Sequence, residues 1–158
     1  MKNTIIIDRN ALQQQVDLRN HYMGDAIKRD DLNADIIQSS AEERDLFLIF
    51  LREACNELLS TVALRFASVT YDIDKDYILI TIESDGEAPR HILPLLKQSI
   101  NDYLVNELTL QWLLLRRPDA ASSYITLRPT LFQNVQQQLA KMSRTKKVRR
   151  RSTNLAGI

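Results

Sequence analysis

The hydrophobic residues of this chain recur mostly at the three- to four-residue spacing of a helix. This spacing predicts an N-terminal helix over residues 9–23, with Asp8 as its N-cap and Gly24 at its end. The polar residues 25–39 are predicted to be a connection with at most one short helical turn.

A second helix is predicted from residue 40 to about residue 67, because Ser40 and Glu43 have the spacing of a capping box. Its apolar residues cover more than one face. It must therefore pack on several sides, either in the centre of the protein or against another subunit. On this helix and the third one, five large side chains are expected to anchor the core or a subunit interface: Phe47, Phe50, Leu51, Tyr103 and Trp112.

Alternation of period two replaces the helical pattern after residue 68. Residues 69–73 and 78–82 place a hydrophobic side chain at every second position and predict the two arms of a β-hairpin. Two strands are marginally stable alone, so the hairpin must lie on the helices or join strands of a partner. The short β-branched segment 4–7 is predicted to be an edge strand or a clamp onto a neighbour.

Two further helices complete the predicted body. Pro94 suits the first turn of the third helix. Residues 116–119 end that helix, because the residue before a proline avoids helical angles. The fourth helix follows Asp119, and Pro129 is expected to kink it or split it in two.

These elements predict an α+β fold, mainly α: a bundle of about four helices with one small β-hairpin and an extended basic C-terminal arm. The length of 158 residues suits one compact domain. We assign residues 1–143 to that domain, as an N-terminal segment 1–39 and a core 40–143, and residues 144–158 to the arm.

Composition excludes several classes of protein. A single cysteine, Cys55, cannot form an internal disulfide, which excludes a disulfide-stapled secreted scaffold. The three glycines cannot form a glycine-rich phosphate-binding loop. No apolar run reaches the roughly 18 residues of a membrane span, so no membrane partner is expected.

Charge divides the chain into an acidic body and a basic arm. Residues 1–119 contain all 20 acidic residues and 13 basic ones, a net charge of −7. Residues 120–158 contain eight basic residues and no acidic one, and six of the eight lie within 144–151. Like charges at this density repel one another, so the arm is not expected to fold alone.

Candidates for catalysis or metal binding are few, and each has a simpler interpretation. Four acidic residues have the end spacing of an EF-hand loop, but Tyr77 stands where that loop needs glycine, and a solvated hairpin turn is simpler. The four are Asp72, Asp74, Asp76 and Glu83. Cys55 lies on the apolar stripe of the second helix, where cysteine behaves as a small hydrophobic residue. We therefore expect no enzyme, no metal and no cofactor.

The arm has three interpretations. A run of this composition is often a solvated chain end. Clustered lysine and arginine also neutralise phosphates, which favours a small nucleic-acid-binding regulator that binds without base stacking. In the third interpretation the arm docks on a protein, with its arginines on acidic groups and apolar anchors at its tip. The docking residues are Arg144, Lys146, Lys147, Arg149, Arg150, Arg151, Leu155 and Ile158.

An acidic helical body, a small hairpin and an extended basic C-terminal arm together resemble the head–tail connector (adaptor) proteins of tailed bacteriophages. The resemblance is carried by the capped helix 40–67, the hairpin 69–82, the helix around 103–112 and the arm 144–158. It covers most of the chain as a succession of elements and contains no diagnostic motif.

This resemblance implies a non-enzymatic virion protein, assembled in the host cytoplasm, that joins the portal to the tail. It implies a homo-oligomeric ring of about 12 subunits, in which head-to-tail interfaces would explain a second helix with more than one apolar face. The arm would grip the portal protein, and the hairpin or loops would meet the next neck or tail ring. DNA would pass through the ring without being specifically bound.

Overall fold

The computed structural model describes residues 1–28, 44–63, 66 and 68–142. Within them, four α-helices and three strands follow one another as β1 (Lys2–Asp8), α1 (Arg9–Lys28), α2 (Arg44–Val62), β2 (Ser68–Ile73), β3 (Tyr77–Glu83), α3 (Ile92–Arg116) and α4 (Ser122–Met142). A 3-10 turn over Pro118–Ala120 joins α3 to α4. The fold is α+β and mainly α, which confirms the predicted class.

The three strands form an antiparallel sheet in the order β1-β3-β2. β3 pairs with β2 as the predicted hairpin and with β1 on its other side, so the hairpin and the N-terminal edge strand are both confirmed. Successive side chains of a strand point to opposite faces. The face that packs on the helices is formed by isoleucines at alternate positions: Ile5, Ile7, Ile78, Ile80 and Ile82.

Helix α3 runs through the centre of the protein and packs on α1, α2, α4 and β1. Every residue from 103 to 110 is buried, including the polar Asn106, Glu107 and Thr109. A helix that is buried on all sides shows no polar face in its sequence. Glu107 therefore places a carboxylate inside the core, where it requires a partner.

Helix α1 begins as predicted but ends later. Asp8 is its N-cap, and the Asp8 Oδ1 atom accepts a hydrogen bond from the Ala11 amide at 3.0 Å. The helix continues through Gly24 to Lys28. The prediction that Gly24 ends it was wrong, because a glycine inside a helix costs only about 1 kcal/mol. The predicted helical turn in the connection and the capping box of Ser40 lie outside the described residues.

Helices α2 and α4 also differ from the predicted bounds. α2 ends at Val62, before the predicted end near residue 67, and β2 begins at Ser68. α4 is continuous from Ser122 to Met142, so the predicted splitting at Pro129 does not occur. A proline removes one backbone hydrogen bond of a helix. The turns of α4 that follow Pro129 place Val135, Leu139 and Met142 in the core.

Candidate functional site

The last two turns of α4 hold the point at which the arm leaves the body. Val135, Leu139 and Met142 are buried in the main core, and Val62 of α2 lies beside Leu139. We call residues 135–142 the arm root. Because Met142 is buried, the root fixes where the arm begins relative to the body. The eight docking residues predicted in the arm follow the root and lie outside the described residues.

An ion network fastens the first half of α4 to two other helices. The Nε atom of Arg128 lies 2.8 Å from Glu107 Oε2 on α3. Its Nη2 atom donates hydrogen bonds to both carboxylate oxygens of Glu57 on α2, at 2.5 and 2.6 Å. Glu107 is only 1% exposed, so removal of Arg128 would leave a buried carboxylate without its cation. The network therefore holds α2, α3 and α4 in one arrangement.

Burial changes the proton affinity of the groups in and around this network. Burial raises the pKa of Glu107, Glu57 adds to the rise, and Arg128 opposes it. Burial also raises the pKa of Tyr103 to about 12, with the charges of Glu107 and Glu57 adding to the effect. For Arg128, burial lowers the pKa but the two glutamates outweigh burial and raise it. At neutral pH Arg128 is thus charged and Tyr103 is neutral. The positive charge of Arg128 attracts Glu57 and Glu107 and so holds the three helices together.

Sequence reasoning missed all three members of the network. One signal was present: Glu107 stands between Asn106 and Leu108 in the most apolar stretch of the chain, and a glutamate there is rarely buried without a partner. Arg128 was counted only as one of the eight basic residues of 120–158, with no partner predicted for it. The structure pairs its charge with Glu57 and Glu107.

All five predicted anchor residues pack in or against the core of their own chain. Phe47, Leu51, Tyr103 and Trp112 are at most 2% exposed. Phe50 is half-buried, and its ring meets Trp112 edge-on with ring centroids 5.6 Å apart. The broad apolar surface of α2 is explained by its contacts with α3, α4 and β2. A subunit interface at these residues stays a prediction, and the hydrophobicity of α2 no longer requires one.

The acidic residues of the hairpin lie in strands and a tight turn. Asp72 belongs to β2 and Glu83 to β3. Between the strands, the Asp74 amide donates to the Tyr77 carbonyl at 2.9 Å, and Asp74 Oδ1 accepts the Lys75 amide at 2.6 Å. These bonds belong to a hairpin turn. Among the residues that the structure describes, no group of three or more His, Cys, Asp or Glu side chains could hold a metal ion.

Cys55 is buried on α2 and is 1% exposed. Burial raises the pKa of its thiol to about 12, so the thiol is protonated at neutral pH. A nucleophilic cysteine requires the thiolate. Cys55 is therefore a small hydrophobic residue of the core.

Comparison with protein-family models, with curated proteins and with solved structures finds no match to this chain. In the described parts of the chain, none of the helices combines the length and the apolar character that crossing a bilayer requires. The function is therefore proposed from the residues and their arrangement.

Proposed function

We propose that this protein is a non-enzymatic structural protein of a bacteriophage neck that joins the portal to the tail. The observation that carries the proposal is the separation of charge around α4. Residues 1–142 carry a net charge of −5 and end in a helix whose root is buried, and the chain that follows this helix carries six clustered basic residues. Such an arrangement suits a protein that holds one neighbour with a charged arm and other neighbours with its body.

The attachment of α4 supports this role. Arg128 ties the first half of α4 to α2 and α3, and the arm root ties its second half to the core. The arm therefore starts from a fixed point. A pulling force on the arm would be transmitted through α4 to α3, the central helix of the body. A connector between two assemblies requires such a connection.

In this proposal the body forms a ring of about 12 copies beneath the portal, with head-to-tail interfaces. The docking residues of the arm bind acidic groups of the portal, while the hairpin or loops meet the next neck or tail ring. The net negative charge of the body repels the passing duplex weakly, so DNA passes without being specifically bound. The protein is assembled in the host cytoplasm and resides in the virion.

Binding to the portal is the direct test. The full chain and a variant that ends at Met142 are each co-expressed with the portal protein of the same phage genome. Complexes are measured by size-exclusion chromatography with light scattering. We expect the full chain to elute with the portal and the truncated variant to elute alone with an unchanged melting temperature. Portal binding that survives the truncation contradicts the docking role.

The same samples distinguish the nucleic-acid-binding alternative. Binding of phosphates by the six clustered basic residues would lose a few powers of ten in affinity between about 50 and 200 mM salt. We expect the full chain not to bind a duplex of about 30 base pairs at moderate salt. Salt-sensitive duplex binding that disappears in the truncated variant would assign the arm to nucleic acid instead.

A further inference from the structure

Strand β1 directs half of its backbone groups toward β3, and the hydrogen bonds at its two ends show which half. Met1 and Ser84 exchange both bonds: the Met1 amine donates to the Ser84 carbonyl at 2.6 Å, and the Ser84 amide donates to the Met1 carbonyl at 2.9 Å. At the other end the Arg9 amide donates to the Asp76 carbonyl at 3.0 Å. Bonding residues alternate along an antiparallel strand, so the odd-numbered residues of β1 bond to β3.

The even-numbered residues of β1 therefore direct their N–H and C=O groups to the outer edge of the sheet. Lys2, Thr4 and Ile6 have exposed side chains, and Ile6 is 53% exposed. Among the described residues, these outward backbone groups have no backbone partner beyond the sheet. The pairing with β3 runs through β1 without a bulge, and the strand contains no proline. A bulge or a proline in an edge strand prevents pairing with another chain. Since β1 has neither, and no other described residue pairs with its outer edge, this edge can accept a further strand.

We propose that β1 pairs with β1 of a second copy of this chain, antiparallel across a two-fold axis at Ile5. In this register Thr4 of each copy faces Ile6 of the other, and the two residues exchange both backbone hydrogen bonds. Lys2 of each copy faces Asp8 of the other, so opposite charges meet at both ends of the interface. A register moved by two residues in either direction keeps the same faces but loses both charge pairs.

The outer face of the sheet supports this register. Lys2 lies opposite Glu83 in its own sheet, and the second copy would add Asp8 on its other side. Asp8 uses its Oδ1 atom to cap α1, which leaves its Oδ2 atom for Lys2 of the second copy. The exposed Ile6 gains a neighbour in Thr4 of the second copy, which removes apolar surface from water.

Pairing of this kind joins two three-stranded sheets into one continuous sheet and closes with two copies. It cannot build a ring by itself. The interface is therefore separate from the arm and independent of the proposed neck function, and either proposal can fail without the other.

The mass of the full chain in solution tests the pairing. Light scattering over about 1–100 μM compares the wild type with Lys2→Glu, Thr4→Pro and a control, Lys75→Glu. Lys2→Glu puts an acidic side chain against Asp8 of the second copy. Thr4→Pro removes one outward N–H and no bond to β3, so the strand itself is retained. Lys75→Glu makes the same change of charge on the exposed hairpin turn.

We expect the wild type and Lys75→Glu to have twice the 18.3 kDa mass of the chain. In the two edge variants, Lys2→Glu and Thr4→Pro, the protein concentration at which half of the dimer dissociates should rise by about tenfold or more. A wild type that is monomeric at every concentration overturns the proposal. So does a dimer that neither edge variant weakens, or a ring-sized oligomer that both edge variants leave intact.

Discussion

Helix α3 and strand β1 complete their backbone hydrogen bonds in opposite ways. A helix bonds to itself, so α3 can be surrounded on all sides by other elements, and its residues 103–110 are all buried. A strand needs a neighbour on each edge, and in the part of the chain that the structure describes β1 pairs with β3 on one edge and with no strand on the other. One face of β1 is buried and the other is exposed. α3 is therefore expected to contribute most to the stability of the fold, and β1 is the proposed site for a second chain.

The largest effect is expected from Trp112→Ala on α3. Trp112 is fully buried and meets Phe50 edge-on, so its truncation should lower the free energy of unfolding by about 3–5 kcal/mol. Leu115→Ala is the matched control on the same helix, because Leu115 is 57% exposed, and it should change stability by less than about 0.5 kcal/mol. Urea denaturation followed by circular dichroism measures both. Similar losses in the two variants would show that α3 is not the stabilising centre.

The attachment of α4 to α3 gives the next largest effect. Arg128→Met removes the cation beside the buried Glu107 and should cost about 2–3 kcal/mol of stability. Asp119→Asn is the control, since it breaks the exposed ion pair between Asp119 and Arg117, and we expect no measurable change. Urea denaturation of both variants at neutral pH makes the comparison. Equal losses of stability in the two variants would show that the network contributes no more to stability than an exposed ion pair does.

A smaller effect, visible in its pH dependence, is expected for Glu107→Gln. The raised pKa of Glu107 means that the folded chain holds this proton more tightly than the unfolded chain does. The resulting stability is present below the unfolded pKa and is lost as pH rises through the folded pKa. The wild type should therefore lose stability relative to Glu107→Gln as pH rises above about 4.3, the ordinary pKa of a glutamate. Denaturation curves across this range test the sign, and a relative gain for the wild type would show that Arg128 outweighs burial.

The same contrast explains how far the sequence predicted this fold. The hairpin was predictable because only one face of β3 is fully buried, which places an isoleucine at every second position over 78–82. The N-cap of α1 was predictable because Asp8 and the amide it accepts are three residues apart. Features that depend on residues close together in the sequence could therefore be predicted from it.

Other features depend on residues that are distant in the sequence. Glu107 and its cation Arg128 lie on different helices, and no local pattern pairs them. The apolar faces of α2 look the same in the sequence whether α3 or a second subunit covers them. The end of α1 was mispredicted because Gly24 is a helix breaker only by local preference, which the continuing helix overrides.

Chemical cross-linking tests most directly whether the outer edge of β1 binds a second chain, in contrast to α3, which is surrounded within its own chain. A carbodiimide joins a lysine amine to a carboxylate in direct contact, with loss of water. Within one chain, Lys2 and Asp8 are separated along the strand by about 20 Å, so a link between them must join two copies. We expect mass spectrometry of mixed isotope-labelled and unlabelled full chains to find this link, and Thr4→Pro to abolish it. A dimer that lacks the link, or links Lys2 only to Glu83 of its own chain, would contradict the open edge of β1 as the site of association.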